Sequence, residues 1–178
     1  MTISIKPTAS GSTIEQDGST ILTVDGSGNI TPSNNLYPKV TSFKATASTT
    51  QNFTSSTFTK IILGNESWDT NSNFDNTTNY RFTPTIAGYY QVNGSYSFQG
   101  TPNPGYTLIA CIYKNGSEHI RGAEMYSITT TFNQANVSGM VYLNGTTDYI
   151  ELYVVGIGGS TSTGELNFSF MDAHLVSV

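Results

Sequence analysis

The sequence predicts an all-β chain: an antiparallel β-sandwich or jelly roll preceded by an extended N-terminal arm. Three observations carry that prediction. Serine (21), threonine (27) and asparagine (16) fill about 36% of the 178 positions, and these side chains favour turns, caps and strands over helix interiors. Alternating apolar and polar runs recur about every 8 to 12 residues from position 41 onward. No convincing amphipathic helix is visible anywhere in the chain.

The elements follow in order. Residues 1–40 are poor in large apolar side chains and hold a loose repeat, Gly11-Ser12-Thr13-Ile14, Gly18-Ser19-Thr20-Ile21-Leu22 and Gly26-Ser27-Gly28-Asn29-Ile30. Strands of two to four residues between glycine turns cannot bury a core within one chain, so this arm is expected either to be disordered or to take its order from other copies or from a larger partner. Pro32 to Pro38 reads as a linker into a globular unit at 41–178. There, Gly88 to Phe98 alternates cleanly, with Tyr90, Val92, Tyr96 and Phe98 on one face and Gln91, Asn93, Ser95 and Ser97 on the other. Similar runs lie at Thr57 to Leu63, Tyr80 to Pro84, Leu108 to Tyr113, Val137 to Leu143, Tyr149 to Val155 and Asn167 to Val176. Asn115-Gly116 and Asn144-Gly145 supply the positive φ angles of tight turns.

Charge and chemistry exclude several functions. Only 11% of residues are charged, against about 25% in an average soluble chain. The 7 bases are scattered singly against 12 acids, so nucleic-acid binding is not expected. No apolar run approaches the ~20 residues of a membrane span, and residues 1–7 hold no apolar core of signal-peptide type, so neither membrane insertion nor a secretory address is expected. The lone Cys111 sits in the apolar run Leu108 to Tyr113 and is expected to be a buried, inert thiol. The carboxylates are dispersed, and His119 and His174 have no partner at metal-ligand spacing, so no catalytic residue, cofactor or metal is assigned. Eight Asn-x-Ser/Thr sequences are what so much asparagine, serine and threonine in strand-turn sequence produces, and they are not read as glycosylation.

Asn76 to Val92, with a Tyr, a Phe-Thr-Pro and a Gly-x-Tyr-Tyr in succession, resembles the central signature of the C1q-like family, relatives of the tumour-necrosis-factor-like heads. Ser42-Phe43-Lys44-Ala45 resembles that family's opening strand, Ile112 to Gly116 its lysine-asparagine-glycine turn, and Ser138 to Ile150 its hydrophobic strand and aspartate turn. The resemblance implies a jelly roll of about ten strands that assembles as a homotrimer. Two features depart from it: Thr146 and Thr147 intervene between glycine and aspartate, and Met171 to Val176 stands where a Phe-x-Gly-Phe-Leu pattern is usual. A cation on the threefold axis, found in some relatives, is tied to no motif in this chain.

The stretch Asp17 to Leu36 is similar in composition to connector segments of bacteriophage fibre proteins. Arm and knob together imply a non-enzymatic virion protein at the particle surface: a trimeric tail fibre whose arm docks on other virion proteins and whose knob contacts a host glycan or protein. The alternatives are a capsid or neck decoration without receptor specificity, and a secreted cellular ligand. The last would show a signal sequence or Gly-x-y repeats, and neither is visible. Candidate recognition residues are Trp68 and Asp69 in a polar loop, together with Tyr106 and Tyr126; residues 99–106 and 156–164 are the candidate binding loops.

Overall fold

The structure, a computed structural model, describes residues 2–32, 40–99, 106–127, 133–158 and 163–178. The chain divides into two compact units, Met1–Lys39 and Val40–Val178.

The first unit departs from the expected extended arm. It is a four-stranded antiparallel meander of β1 (Ile3–Thr8), β2 (Gly11–Gln16), β3 (Ser19–Asp25) and β4 (Ile30–Pro32), paired in sequence order. The repeat's glycines mark turns, and the strands between them are longer than the two to four residues expected. Asp17 and Gly18, both at positive φ (48° and 84°), close the β2–β3 hairpin. The Asp25 carboxylate closes the next loop, accepting bonds from the backbone N–H groups of Ser27 and Asn29 and from the Asn29 amide.

In the second unit the chain runs β5 (Ser42–Thr46), β6 (Thr59–Lys60), β7 (Asn65–Asp69), β8 (Phe74–Asp75), β9 (Arg81–Phe82), β10 (Gly88–Gln99), β11 (Tyr106–Lys114), β12 (Ser117–Arg121), β13 (Met125–Ser127), β14 (Asn133–Leu143), β15 (Ile150–Ile157) and β16 (Thr163–Ser177). They form two antiparallel sheets. One has the order β14-β10-β16-β5-β7; the seven-stranded other has the order β12-β11-β15-β9-β8, with β13 on β11 and β6 on β15. The all-β jelly-roll class holds, while short segments such as β6, β8 and β9 take the strand number above ten. Met171 to Val176 lies in β16, between β10 and β5.

The core lies between the sheets and follows the alternation of β10, with Tyr90, Val92, Tyr96 and Phe98 all at most 2% exposed. Phe43 stacks on Phe74 (4.7 Å) and Phe82 (4.4 Å), and Phe82 meets Tyr90 edge-on (5.7 Å), so one aromatic cluster joins β5 and β10 to β8 and β9. The Tyr90 hydroxyl satisfies itself by donating to the Ile86 carbonyl at 2.8 Å.

The far half of β10 is buried on both faces, unlike the half-buried strand expected from its polar alternates. Opposite Tyr96 the register of β16 shifts, and buried Ser169 fills the break: the Ser97 N–H donates to Ser169 Oγ at 3.1 Å. Gln134 Nε2 donates to buried Ser95 Oγ at 2.6 Å. At Gly94 a side chain would press on Leu152, Val137 and Ile112, so the absence of a Cβ lets the sheets approach there.

Truncating Phe82 removes the ring that touches both Phe43 and Tyr90. Phe82→Ala is expected to cost about 3–5 kcal/mol, read as a lowered urea midpoint with an unchanged m-value.

Candidate interaction face

The two sheets differ in what covers their outer faces. On the seven-stranded sheet, Ile109, Cys111 and Val155 form a second buried cluster beneath Phe58, Tyr113 and Tyr153. Tyr113 and Tyr153 stack at 3.9 Å, and Lys60 Nζ bonds the buried Glu151 carboxylate at 2.8 Å. Burial pushes the Cys111 thiol up to about 11, which keeps it protonated and unreactive.

The outer face of the five-stranded sheet is closed over Ser95, Ser97 and Ser169 but has no such cover, among the described residues, over its other end. The strand registers place Tyr142 beside Tyr89, Met140 beside Gln91 and His174, and Ser138, Asn93, Asp172, Lys44 and Trp68 in one row across all five strands. At one end Tyr89, Met140 and Tyr142 form an apolar patch, each about half exposed, with the two tyrosine rings 5.3 Å apart. In the middle runs a chain of hydrogen bonds. Gln91 Nε2 donates to Ser138 Oγ (2.9 Å), Ser138 Oγ donates to Asn93 Oδ1 (2.8 Å), and Asn93 Nδ2 donates to Asp172 Oδ1 (2.8 Å). At the β7 side Lys44 Nζ lies 4.8 Å from the Phe170 ring centre and 5.9 Å from that of Trp68.

The sequence-selected residues do not assemble into one site. Trp68 is exposed at the β7 end of this face. Asp69 is spent on a turn, its carboxylate accepting from the N–H groups of Asn71 (3.1 Å) and Phe74 (2.6 Å). Tyr126 is exposed on β13, which belongs to the other sheet. Tyr106 is a correction: it is 1% exposed, at the start of β11, with its hydroxyl seated where Gly156 leaves room. It is a core residue and not a surface contact. Of the candidate loops, residues 100–105 and 159–162 lie outside the described residues. Tyr89, Met140 and Tyr142 were missed, although alternation through Val137 to Leu143 already places Met140 and Tyr142 opposite the core positions.

The acids near the edges act on loops. Asp75 accepts from the N–H groups of Thr78 (2.9 Å) and Thr77 (3.0 Å) and from the Asn79 amide (2.7 Å), which together hold its carboxyl well below the usual range. Asp148 is lowered by bonds from Asn115 and Lys114. The intervening Thr146 and Thr147 wrap around Asn144, whose Oδ1 accepts both their N–H groups and that of Asp148. Among the described residues, no three His, Cys, Asp or Glu side chains group as a metal site would require.

Neither a family model nor a curated protein sequence matches the chain. Solved structures do. The crystal structure of murine APRIL at pH 5.0 aligns at TM-score 0.57 and 9% identity, covering 77% of this chain and 99% of that one. The same protein at pH 8.0 gives TM-score 0.55 at 10% identity, over 77% and 99%. Eiger TNF from S. frugiperda aligns at TM-score 0.48 and 11% identity, over 78% and 92%. At these identities the APRIL alignments establish the fold, a TNF-like jelly roll.

Two outcomes test the local chemistry. Because the folded Asp75 carboxyl titrates below its unfolded value of about 3.9, its contribution to stability is complete above that pH and lost as pH falls further. An Asp75→Ala variant is therefore expected to be less stable than the parent at pH 7, with the difference shrinking towards pH 2 in thermal melts. Cys111 is expected to resist a thiol reagent in the native protein and to react fully in denaturant, read by mass spectrometry.

Proposed function

We propose that this chain is a non-enzymatic, homotrimeric attachment module of a bacteriophage particle, with residues 40–178 as the knob that contacts the host surface and residues 2–32 as the part that holds it to other virion proteins. The observation that carries the trimer is the uncovered end of the outer face of the five-stranded sheet. Tyr89, Met140 and Tyr142 sit side by side on it, about half exposed in the single chain, next to polar groups that already satisfy one another. A patch of contiguous aromatic and apolar side chains is what a self-association surface presents, and tyrosine suits an interface whose rim stays wet. The TNF-like fold agrees with this reading. The phage context rests on the composition of Asp17 to Leu36.

The mechanism is avidity. Three weak sites on one rigid knob, and many knobs on one particle, multiply into firm attachment through effective concentration. Trp68 and Tyr126 are exposed aromatic side chains suited to stacking on a sugar ring or a protein surface.

Light scattering at micromolar concentration is expected to give the mass of a trimer, and a stable monomer would sink the proposal. Tyr142→Lys combined with Met140→Asp is expected to shift the trimer to monomer without changing the far-ultraviolet spectrum. Because so few charges are present, the trimer should dissociate no more readily at about 0.5 M salt than at 0.05 M. Antibody labelling of particles in negative stain is expected to mark the tail; labelling of head or neck would make the chain a decoration.

A further inference from the structure

The meander of residues 2–32 is amphipathic in a way its glycine repeat conceals. Direct cross-strand partners share a face. Ile5 on β1 stands across from Ile14 on β2, which stands across from Leu22 on β3, and Val24 stands across from Ile30 on β4. With Ile3 and Pro7 two positions either side of Ile5, one face is built mainly from Ile3, Ile5, Ile14, Leu22, Val24 and Ile30, with the uncharged Ser12 and Gln16 among them. The other carries the rows Lys6-Thr13-Thr23-Thr31 and Ser4-Glu15-Thr20, with an ion pair between Lys6 and Glu15 at 2.6 Å. Ile3, Ile5 and Ile30 are 61%, 70% and 66% exposed, and none of the described residues of this unit is buried.

A sheet with one apolar face buries that face against another layer. We infer that the cover is the same face of other copies: three meanders turn Ile3, Ile5, Ile14, Leu22, Val24 and Ile30 towards one another, forming a second self-association surface distinct from that of the knob. The face favours a copy of itself because it bears no charge. Lys6 and Glu15 lie on the opposite face and Asp17 and Asp25 at turns, so face-to-face packing strands no charge. The inference rests on the trimer reading for its stoichiometry: each meander and its knob belong to one chain, so association of knobs raises the local meander concentration. The Lys6 and threonine face is then the one left outward, for water or for the particle.

The test uses the full chain with Cys111→Ala and one new thiol, at Ile5→Cys or at the adjacent Lys6→Cys on the opposite face. A short bis-maleimide is expected to join Ile5→Cys chains at least about tenfold faster than Lys6→Cys chains. A trimeric mass by light scattering with equal cross-linking of the two variants overturns the shared meander face and leaves the knob trimer standing. A monomeric mass with the Ile5→Cys bias retained at high concentration supports the meander face and removes the knob trimer, whereas a monomer without the bias overturns both. Ile14→Asp, with a charge at the centre of the face, should abolish the Ile5→Cys cross-link while the trimeric mass persists.

Discussion

The cluster of Phe43, Phe74, Phe82 and Tyr90 is the contact on which the knob depends. Its rings come from β5, β8, β9 and β10, two strands of each sheet, and they meet at 4.4 to 5.7 Å. The only cysteine is single and buried, and ion pairs are few among the described residues, so inter-sheet packing must do what staples do elsewhere. Once Phe43 is seated, β5 is fixed against β16, and Lys44 and Ser42 necessarily face outward beside Asp172 and His174. The outer face is thus a consequence of the inner one, residue by residue.

The low charge also has a structural meaning. Where a loop must be held, a single carboxylate or amide side chain gathers several backbone donors: Asp25, Asp69, Asp75 and Asn144 each do so. An acid used in this way satisfies N–H groups that a short turn leaves without partners. With only 7 bases in the chain ion pairs stay scarce, and the outward strand positions fall to threonine, serine and asparagine, which suit a half-exposed sheet.

Much of the knob was legible because alternation is local. Gly88 to Phe98 showed its buried face outright, and Asn115-Gly116, at φ 52° and 78°, makes the predicted turn between β11 and β12. What alternation cannot show is which strand lies beside which. Tyr106 follows Pro102-Asn103-Pro104-Gly105 and reads as a loop aromatic, yet pairing of β11 with β15 brings it over Gly156 and into the core. Ser95 and Ser97 look solvent-facing by period, yet both are buried where the register of β16 shifts and Gln134 and Ser169 bond to them. In the first unit the glycine spacing drew attention to turns, while the apolar face appears only when Ile5, Ile14 and Leu22 are aligned across strands. Cross-strand register carries that information, and a single sequence does not display it. The short β7, β8, β12 and β13 escaped for a related reason, since five residues or fewer hold too little of a period to be recognised unless, as at β6 and β9, a longer apolar run surrounds them.

The composition of the knob's outer face decides how it can be buried. Apolar patches lose nothing when another copy covers them, but Gln91, Asn93, Ser138 and Asp172 would each carry a desolvation cost if their partners were water. They are instead bonded to one another at 2.8 to 2.9 Å before any partner arrives, and Asp172 has Lys44 beside it in the row. A network satisfied in advance can be taken out of water with little left unpaired, whereas a half-satisfied one would resist association. Removing Asn93 would leave Asp172 without its amide donor and Ser138 without its acceptor, so Asn93→Ala should weaken self-association more than its loss of contact area alone would do, and titration of oligomer mass against concentration would read the difference.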